Sequence, residues 1–542
     1  MTMAAAAVGE GRVVTQAEER RVIFASSLGT VFEWYDFYLY ATLAPFFAAL
    51  FFPPGNETAA LLSAFAAYAA GFLVRPFGAL VFGRLGDLVG RKYTFLVTIL
   101  FMGGSTFAVG LLPTFSAVGW LAPVLMVSLR LIQGLALGGE YGGAATYVAE
   151  HAARGRRGYA TSWIQTTATL GFFLSLAVIA LCRTQMDAKV FADWGWRIPF
   201  LVSIILLVFS VYIRLKLNES PIFTKMKAEG KGSKSPLTDS FLRYPNNRLV
   251  LLALLGATAG QGVVWYTGQF IALFFLTITL RLDYLSAYTL VAISLLIGTP
   301  MFIFFGWLSD KIGRLRIILA GCLIAAVTYF PLFQALTHFV NPDLEAFQAK
   351  TKISVTADPA QCNFHLVVGP WSKFTDCDRA KDALTKSGLS FASVNGEVGK
   401  PVVTTVGDKK IEGFDAKEGL PKLAAALKEA GYPAGADKAK VNWFMAELIL
   451  VIFLVYVTMV YGPIAAFLVE LFPTNIRYTS MSLPYHIGNG WFGGMLPLVA
   501  TAMVAWSGDI YFWLWYPIGV AVMTLVIGTL FLKETKDVDI TK

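Results

Sequence analysis

The chain has 542 residues, of which 56% are hydrophobic and only 15% charged, with a mean hydropathy of +0.61. Soluble domains carry about 25% charged residues, because their surfaces need polar cover, so this composition excludes one large soluble core. The net charge is +9, and its positive residues lie in short loops between apolar runs, which indicates membrane topology rather than nucleic-acid binding.

Apolar runs long enough to cross a bilayer recur along the chain, and the first six predict a helical half over 22–216. A polar tail, 1–21, precedes them, and the first run is too long for the core of a signal peptide. The predicted helices of this half are 22–50, 59–83, 94–113, 117–149, 158–182 and 195–216. A polar linker rich in Lys, Gly and Ser follows at 217–248.

The second half is predicted over 249–340 and 442–532, with a polar tail at 533–542. Its helices are expected at 249–280, 285–307, 316–340, 442–470, 476–505 and 510–532. A polar insert, 341–441, separates the ninth and tenth helices. The predicted fold is therefore an all-α polytopic membrane protein of about twelve transmembrane helices with one polar insert.

The distribution of Lys and Arg predicts the orientation of the chain. Basic residues follow the even-numbered predicted helices, whereas the short loops 51–58 and 114–116 carry none. Basic loops stay on the cytoplasmic side, so we expect both termini and the linker in the cytoplasm and the insert in the periplasm. This places the chain in a bacterial inner membrane.

The two predicted halves repeat each other in sequence. The segment 83–92 matches 306–314, and Tyr141-Gly142 matches Tyr461-Gly462, both in the same chain direction. Repeats in the same direction are related by an axis along the membrane normal. More residues separate the two segments of the second match than those of the first, because the insert lies between them.

The insert contains two of the four cysteines, Cys362 and Cys377, which could form a disulfide in an oxidising compartment. Its segments 384–394 and 420–430 indicate a small folded unit. Such a unit could bind a periplasmic partner, act as a sensing domain, or be a loop extension that covers the periplasmic mouth.

Several segments carry a resemblance to a known family. The segment 83–92 and its copy resemble the loop motif between helices 2 and 3 of the major facilitator superfamily, and 130–140 resembles its fourth-helix motif. The chain is also similar to the metabolite:proton symporter family at 33–37, 74–76, 193–199, 219–221 and 470–474. The resemblance covers both halves but not the insert.

The resemblance implies proton-coupled uptake of a small organic acid, or of a zwitterion such as proline or betaine, by alternating access. No cofactor is expected, because a proton gradient would drive transport. The resemblance also assigns a gating role to the residues of the repeated loop motif, which are Gly83, Asp87, Gly90, Arg91, Lys92, Gly306, Asp310, Gly313 and Arg314.

Charged residues inside the predicted helices are the main candidates for transport, since each costs about 2.5 to 3.5 kcal/mol at a helix centre. Asp36 and Glu33 share one face of helix 1 and are predicted to couple protons, as is Glu140. Arg130 and Arg75 are predicted to bind a substrate carboxylate, because a guanidinium stays charged and grips carboxylates through two parallel N–H groups. Fixed ion pairs or packing contacts would be alternative roles for these residues.

Polar and aromatic residues on other helices could complete a binding cavity. They are Gln133 on helix 4, Gln261, Trp265, Tyr266 and Gln269 on helix 7, and His486 and Asn489 on helix 11. Interfacial anchoring or hydrogen bonds between helices would explain the same residues without a substrate.

The sequence contains no nucleotide-binding phosphate loop and no Cys/His cluster with metal-ligand spacing, so neither ATP hydrolysis nor a metal site is predicted, and the chain is not expected to be an enzyme. The predicted partners are a small-molecule substrate, protons and the lipid bilayer. A drug exporter and a non-transporting receptor remain as alternatives from other functional classes.

Overall fold

A computed structural model describes residues 15–52, 57–364, 373–415 and 417–541, without the side chains of some residues of the first two helices, Glu33 among them. Ten of its helical segments are long and apolar enough to cross a membrane, and two further long helices precede them. We call the first six the N-terminal helices. They are α1 (Gln16–Phe51), α2 (Glu57–Leu88), α3 (Arg91–Val109), α4 (Leu121–His151), α5 (Arg157–Gln185) and α6 (Phe191–Leu215).

The C-terminal helices follow two short helices, Pro221–Ala228 and Pro236–Phe241, that lie in the predicted linker. They are α7 (Asn246–Thr279), α8 (Tyr284–Ile312), α9 (Arg314–Val340), α10 (Trp443–Leu471), α11 (Arg477–Ser507) and α12 (Phe512–Phe531). Each lies close to a predicted apolar run, since hydrophobicity alone decides where a chain can cross a bilayer.

The start of α1 differs from the prediction, because the helix begins at Gln16 within the predicted polar tail. Thr15 caps it by accepting a hydrogen bond from the backbone N–H of Glu18 at 3.2 Å. Glu18 and Glu19 lie in the first turn, where negative charge stabilises the helix dipole. The predicted boundary therefore marked the start of hydrophobicity rather than the start of the helix.

Two of the C-terminal helices contain stretches of wider, π-helical turns. They lie at Leu254–Thr258, Thr267–Ile271 and Phe275–Thr279 in α7, and at Ile487–Gly493 in α11. Such turns are frequent at functional sites, where they re-aim side chains. Both helices carry residues that the sequence predicts to line a cavity.

Small residues bring α2 and α4 into direct backbone contact. A Cβ atom added to Gly134 would lie 2.2 Å from the carbonyl oxygen of Gly71, and one added to Gly138 would lie 2.2 Å from that of Arg75. No side chain fits into these gaps, so the two helices approach closely only because both α4 positions are glycine. This contact fixes the position of α4 residues between α1 and α2.

The insert between α9 and α10 folds around a four-stranded sheet, so the expectation of an all-α fold is wrong for this segment. The strands are β1 (Ile353–Ala357), β2 (Ala392–Asn395), β3 (Val403–Val406) and β4 (Lys409–Glu412), in the order β2-β1-β3-β4. β1 is parallel to β2 and antiparallel to β3, which is antiparallel to β4. β2 is exposed along its whole length, so it shows no alternation of buried and exposed positions that would indicate a strand in the sequence.

Helices complete this unit, at Pro342–Lys350, Asp376–Lys386 and Gly419–Glu429. A disulfide joins Cys362 to Cys377 at the start of the second of these helices. The crossover between the parallel strands β1 and β2 contains this helix, as parallel pairing requires a long connection.

The insert is attached to the turns at one end of the C-terminal helices. Arg281, in the α7–α8 turn, donates to the carbonyl of Ala434 at 3.1 Å, and Lys438 forms an ion pair with Asp283 at 3.0 Å. The backbone N–H of Phe391 donates at 2.7 Å to the carbonyl of Gly508, in the α11–α12 turn. These bonds join the α7–α8 turn to the α11–α12 turn through the folded insert.

Candidate functional site

Asp36 and Arg130 form a buried ion pair between α1 and α4. Arg130 Nη1 lies 3.0 Å from Asp36 Oδ2, and both side chains are less than a tenth exposed. Gln133, one turn further along α4, donates from Nε2 to Asp36 Oδ1 at 3.1 Å and to Thr106 Oγ1 at 2.9 Å. The structure thus brings together three residues that the sequence singles out separately.

The remaining donors of Arg130 are unused in the described part of the chain. Its guanidinium lies 3.8 Å from the ring centroid of Tyr40, which covers one face of the group. Its Nε and Nη2 are buried and have no hydrogen-bond acceptor among the described residues. These two atoms form the edge of a guanidinium that receives a carboxylate in bidentate fashion. Arg130 therefore binds Asp36 through Nη1, while its Nε and Nη2 together form a second edge, the fork, that could bind a carboxylate.

Arg75 lies on α2, next to Pro76, and is also buried. Its guanidinium lies 4.4 Å from the ring centroid of Phe72, a distance typical of a cation–π contact. His486 on α11 lies within electrostatic range of Arg75 and is itself buried. Arg75 and His486 therefore belong to one region, between α2 and α11, whereas Arg130 lies between α1 and α4.

Aromatic side chains of α1 and α7 meet in the middle of the bundle. Trp34 lies 4.9 Å from Trp265 between ring centroids, and Phe37 lies 5.0 Å from Phe270. Tyr38 stacks on Phe270 at 5.8 Å. We call these five residues the aromatic cluster. Its α1 residues lie on both sides of Asp36 in sequence, and the cluster joins the N-terminal helices to the C-terminal helices.

Other predicted cavity residues lie around the aromatic cluster. The ring of Tyr266 lies 6.1 Å from that of Phe72, and Gln269 Oε1 lies 3.5 Å from the hydroxyl of Tyr38. Gln261 and Asn489 exchange two hydrogen bonds through their amide groups, each 2.9 Å long, and so join α7 to α11. Most hydrogen-bonding groups of these two amides are therefore occupied by the contact between α7 and α11.

Glu140 lies in a different environment from Asp36. Its Oε1 accepts a hydrogen bond from Arg214 Nη2 at 2.5 Å, and its Oε2 accepts one from Thr98 at 2.8 Å. All three side chains are buried, and Arg214 also lies 3.5 Å from the ring centroid of Phe95. Glu140 therefore joins α4, α3 and α6, and its proton-coupling role stays a prediction.

Arg214 was not among the residues that the sequence predicted to be functional. It lies in the last turn of α6, where an arginine resembles one more basic residue at a helix end. Tyr40 and Thr106 were also missed, because neither is charged. Glu33 was predicted to share the proton-coupling role, but its side chain lies outside the described residues.

The first copy of the repeated motif forms a charge cluster at the end of the bundle opposite the insert. Arg91 binds Asp87 Oδ1 at 2.6 Å and donates to the carbonyl of Thr474 at 2.7 Å. Asp87 in turn accepts backbone N–H bonds from Tyr478 at 3.3 Å and Thr479 at 2.8 Å. Its negative charge therefore lies at the N-terminus of α11, which carries partial positive charge.

The second copy repeats this arrangement with the roles of the N-terminal and C-terminal helices exchanged. Asp310 accepts backbone N–H bonds from Gly158 at 2.9 Å and Tyr159 at 2.8 Å, at the N-terminus of α5. Arg314 binds Asp310 at 2.8 Å and Glu470 at 3.0 Å. In each cluster an aspartate from one group of helices caps a helix of the other.

The motif glycines occupy positions where an added side chain would collide with neighbouring atoms. Gly90 and Gly313 have φ values of +150° and +118°, and a Cβ atom on either would lie 2.4 Å from a carboxylate oxygen, of Glu219 or Glu534. Gly83 and Gly306 lie against α11 and α5, where an added Cβ would come within 2.9 and 2.3 Å of neighbouring atoms. Lys92, the last motif residue, donates to the carbonyl of Leu215 at 3.0 Å.

Residues 26–339 match the family model described as the Major Facilitator Superfamily. The chain belongs to this superfamily. Relatives place it further within the metabolite:proton symporter family. The shikimate transporter of Escherichia coli (strain K12) is 37% identical over 58% of this chain and 72% of its own length.

Two other relatives broaden the range of named substrates. The alpha-ketoglutarate permease of Escherichia coli (strain K12) is 34% identical over 63% of this chain and 78% of its own length. The proline/betaine transporter of the same strain is 33% identical over 59% and 65%, respectively. The family is therefore one of transporters rather than enzymes.

Solved structures share the fold. The proton:xylose symporter XylE bound to 6-bromo-6-deoxy-D-glucose superposes with a TM-score of 0.63, covering 97% of this chain and 98% of its own, at 15% sequence identity. This likeness establishes that the helices follow the superfamily fold.

Proposed function

We propose that this protein is a proton-coupled symporter that imports a small organic acid by alternating access. The observation that carries the proposal is the unused edge of Arg130. A charged N–H group buried without an acceptor costs more than the roughly 1–3 kcal/mol of a neutral one, so a site with two of them favours a ligand that supplies two acceptors. A carboxylate does this in a single bidentate contact.

Asp36 links that carboxylate site to the proton. While Asp36 is ionised, it shares the charge of Arg130 with any bound anion. Protonation of Asp36 removes the competing charge and leaves the guanidinium to the substrate. Uptake of one negative charge against a negative-inside potential costs about 2.3 kcal/mol per 100 mV, and a co-transported proton offsets that cost.

In this proposal, α1–α6 and α7–α12 are the two six-helix halves of a twelve-span inner-membrane protein. Both termini are cytoplasmic, and the insert lies in the periplasm. The two charge clusters then close the cytoplasmic side, since each joins one half to the other. Opening toward the cytoplasm requires the carboxylates of Asp87 and Asp310 to leave the N-termini of α11 and α5.

A zwitterion such as proline or betaine is the second candidate substrate, and the aromatic cluster is the observation that favours it. Trp34 and Tyr38 lie within two residues of Asp36 along α1, and Trp34 contacts Trp265 of α7 with ring centroids 4.9 Å apart. Aromatic faces attract ammonium groups by about 0.5 to 2 kcal/mol each. The carboxylate of a zwitterion would use the same fork of Arg130.

Uptake by proteoliposomes tests both candidates. We would supply labelled α-ketoglutarate, citrate, shikimate, proline and betaine in parallel, with and without an inward proton gradient. Accumulation of an acid that requires the gradient would support the proposal. Accumulation of proline or betaine alone would replace the substrate class and keep the coupling. Gradient-independent equilibration of every compound would overturn proton symport.

A further inference from the structure

An acidic residue on α10, Glu447, has no partner in the described part of the chain. It lies one turn beyond Trp443, the first residue of a helix that Asn442 caps by accepting from the N–H of Met445 at 3.1 Å. Both carboxylate oxygens of Glu447 are inaccessible to solvent, and neither receives a hydrogen bond from any described residue. Among the buried carboxylates of the N-terminal helices, Asp36 and Glu140 each have an arginine.

The position of Glu447 on α10 explains why its carboxylate oxygens are enclosed although the residue is only half-buried. Glu447, Leu454 and Tyr461 are spaced by seven and therefore share one face of the helix. Leu454 packs directly on Gly298 of α8, where an added Cβ would come within 2.1 Å of it, and the ring of Tyr461 lies 6.1 Å from that of Trp265 on α7. Glu447 thus occupies the outer end of a face that packs against other helices.

The titratable groups at the same end of the helices packed against α10 have other partners. Arg281 at the end of α7 binds Ala434, and Asp283 before α8 binds Lys438. On α9, His338 lies 2.7 Å from Glu345, and Tyr329 donates to the carbonyl of Val264 at 3.4 Å. On α8, Tyr284 and Tyr288 contact each other with ring centroids 4.1 Å apart. Within the described residues, no cation is bound to Glu447.

An ionised carboxylate buried without a cation or a hydrogen bond is unstable relative to its neutral form, and such groups take up a proton instead. We propose that Glu447 is a proton-binding site on the outer end of α10, separate from the Asp36–Arg130 pair, and that its protonation favours the closed packing of α10 against its neighbours. An ionised Glu447 requires water or a cation, so loss of the proton loosens this end of the helix.

The sign of the effect follows from linkage. The closed packing binds the proton more tightly than an open, hydrated arrangement does, so acid stabilises the closed packing and a rise in pH destabilises it. One linked proton changes the ratio of closed to open forms by at most tenfold per pH unit. This proposal concerns only the proton and the packing of α10, and it stands whichever substrate the transporter carries.

Infrared spectroscopy and hydrogen exchange on the full chain in lipid vesicles test it without any substrate. In the wild type we expect a protonated-carboxyl band at neutral pH that is lost in Glu447→Gln. The control Glu345→Gln, which alters an exposed carboxylate, should keep the band. Amide protection in the first turns of α10, corrected for intrinsic exchange, should fall with rising pH in the wild type and in Glu447→Asp, but not in Glu447→Gln.

Persistence of the band in Glu447→Gln would overturn the proposal, as would the same pH dependence of protection in Glu447→Gln and the wild type. Because neither measurement involves transport, failure of the uptake experiment above would leave these results unaffected. A normal uptake result combined with an unchanged band would reject the Glu447 site alone.

Discussion

The backbone N–H of Thr479 donates to the carboxylate of Asp87 at 2.8 Å, across a separation of almost four hundred residues in the chain. The bond joins α2 to the first turn of α11, and Asp310 forms the corresponding bonds to the first turn of α5. Both contacts combine a hydrogen bond with the partial positive charge of a helix N-terminus, so we expect them to hold the same end of the bundle closed.

Replacing these aspartates by asparagine should open that end. Each substitution removes a charge-assisted contact, so we expect Asp87→Asn and Asp310→Asn each to shift the equilibrium toward the form that is open at this end by about 1 to 3 kcal/mol. Distances measured by fluorescence transfer between labels on the N-terminal and C-terminal helices, at the end that carries the charge clusters, would report the shift. Asp382→Asn, which removes a surface ion pair with Lys386, should leave the distances unchanged.

Asp36→Asn should separate exchange from accumulation. An amide cannot release a proton, but it keeps the shape of the side chain beside Arg130. We therefore expect the variant to lose gradient-driven accumulation while it retains exchange of labelled for unlabelled substrate across the membrane. Both are measured in proteoliposomes, and accumulation at the wild-type level would contradict a coupling role for Asp36.

Arg130→Lys tests whether the fork of Arg130, its Nε and Nη2 atoms, binds the substrate carboxylate. Lysine keeps the positive charge but cannot present two parallel N–H groups, and each charge-assisted hydrogen bond contributes about 1.5 to 3 kcal/mol. Substrate affinity, measured by binding to the purified protein, should fall about 10- to 100-fold. The matched change Arg243→Lys, at an exposed arginine paired with Asp239, should not alter affinity. Equal affinities in Arg130→Lys and the wild type would exclude the fork as the carboxylate site.

Gly138→Ala should destabilise the contact between α2 and α4. The added methyl group would lie 2.2 Å from the carbonyl oxygen of Arg75, and overpacking of this kind costs about 1 to 3 kcal/mol. We expect a lower thermal midpoint in detergent. Gly104→Ala on α3 is the control, because an added Cβ there meets nothing within 4 Å.

Removing one partner of the Glu140–Arg214 pair should be more damaging than removing both. A single substitution leaves a buried charge uncompensated, at a cost of about 3 to 5 kcal/mol, whereas replacement of the pair by apolar residues of similar size is often neutral. We expect the thermal midpoint to be highest in the wild type, lower in the double variant that combines Glu140→Leu with Arg214→Met, and lowest in Arg214→Met alone. If Glu140→Gln also abolishes proton coupling in a folded protein, the predicted role of Glu140 gains support.

The sequence predicts most of the helices, because apolar runs of sufficient length have one stable arrangement in a bilayer. It also singles out Asp36, Arg130 and Gln133 as candidates, since intramembrane polar residues are rare. It does not predict that Gln133 bonds to Asp36 or that Glu140 bonds to Arg214, because these contacts depend on how helices far apart in the chain pack together. Glu447 was overlooked since its position near a helix end resembles that of a solvated residue.

The folded insert also has a practical consequence for imaging. The similarity between the N-terminal and C-terminal helices makes particles of a 59.1 kDa chain hard to orient in electron micrographs when micelle density hides the helices. A compact unit fixed by hydrogen bonds to two separate turns of the C-terminal helices provides a built-in landmark that distinguishes the two groups. Antibody fragments raised against its sheet should enlarge that landmark without contacting the helices.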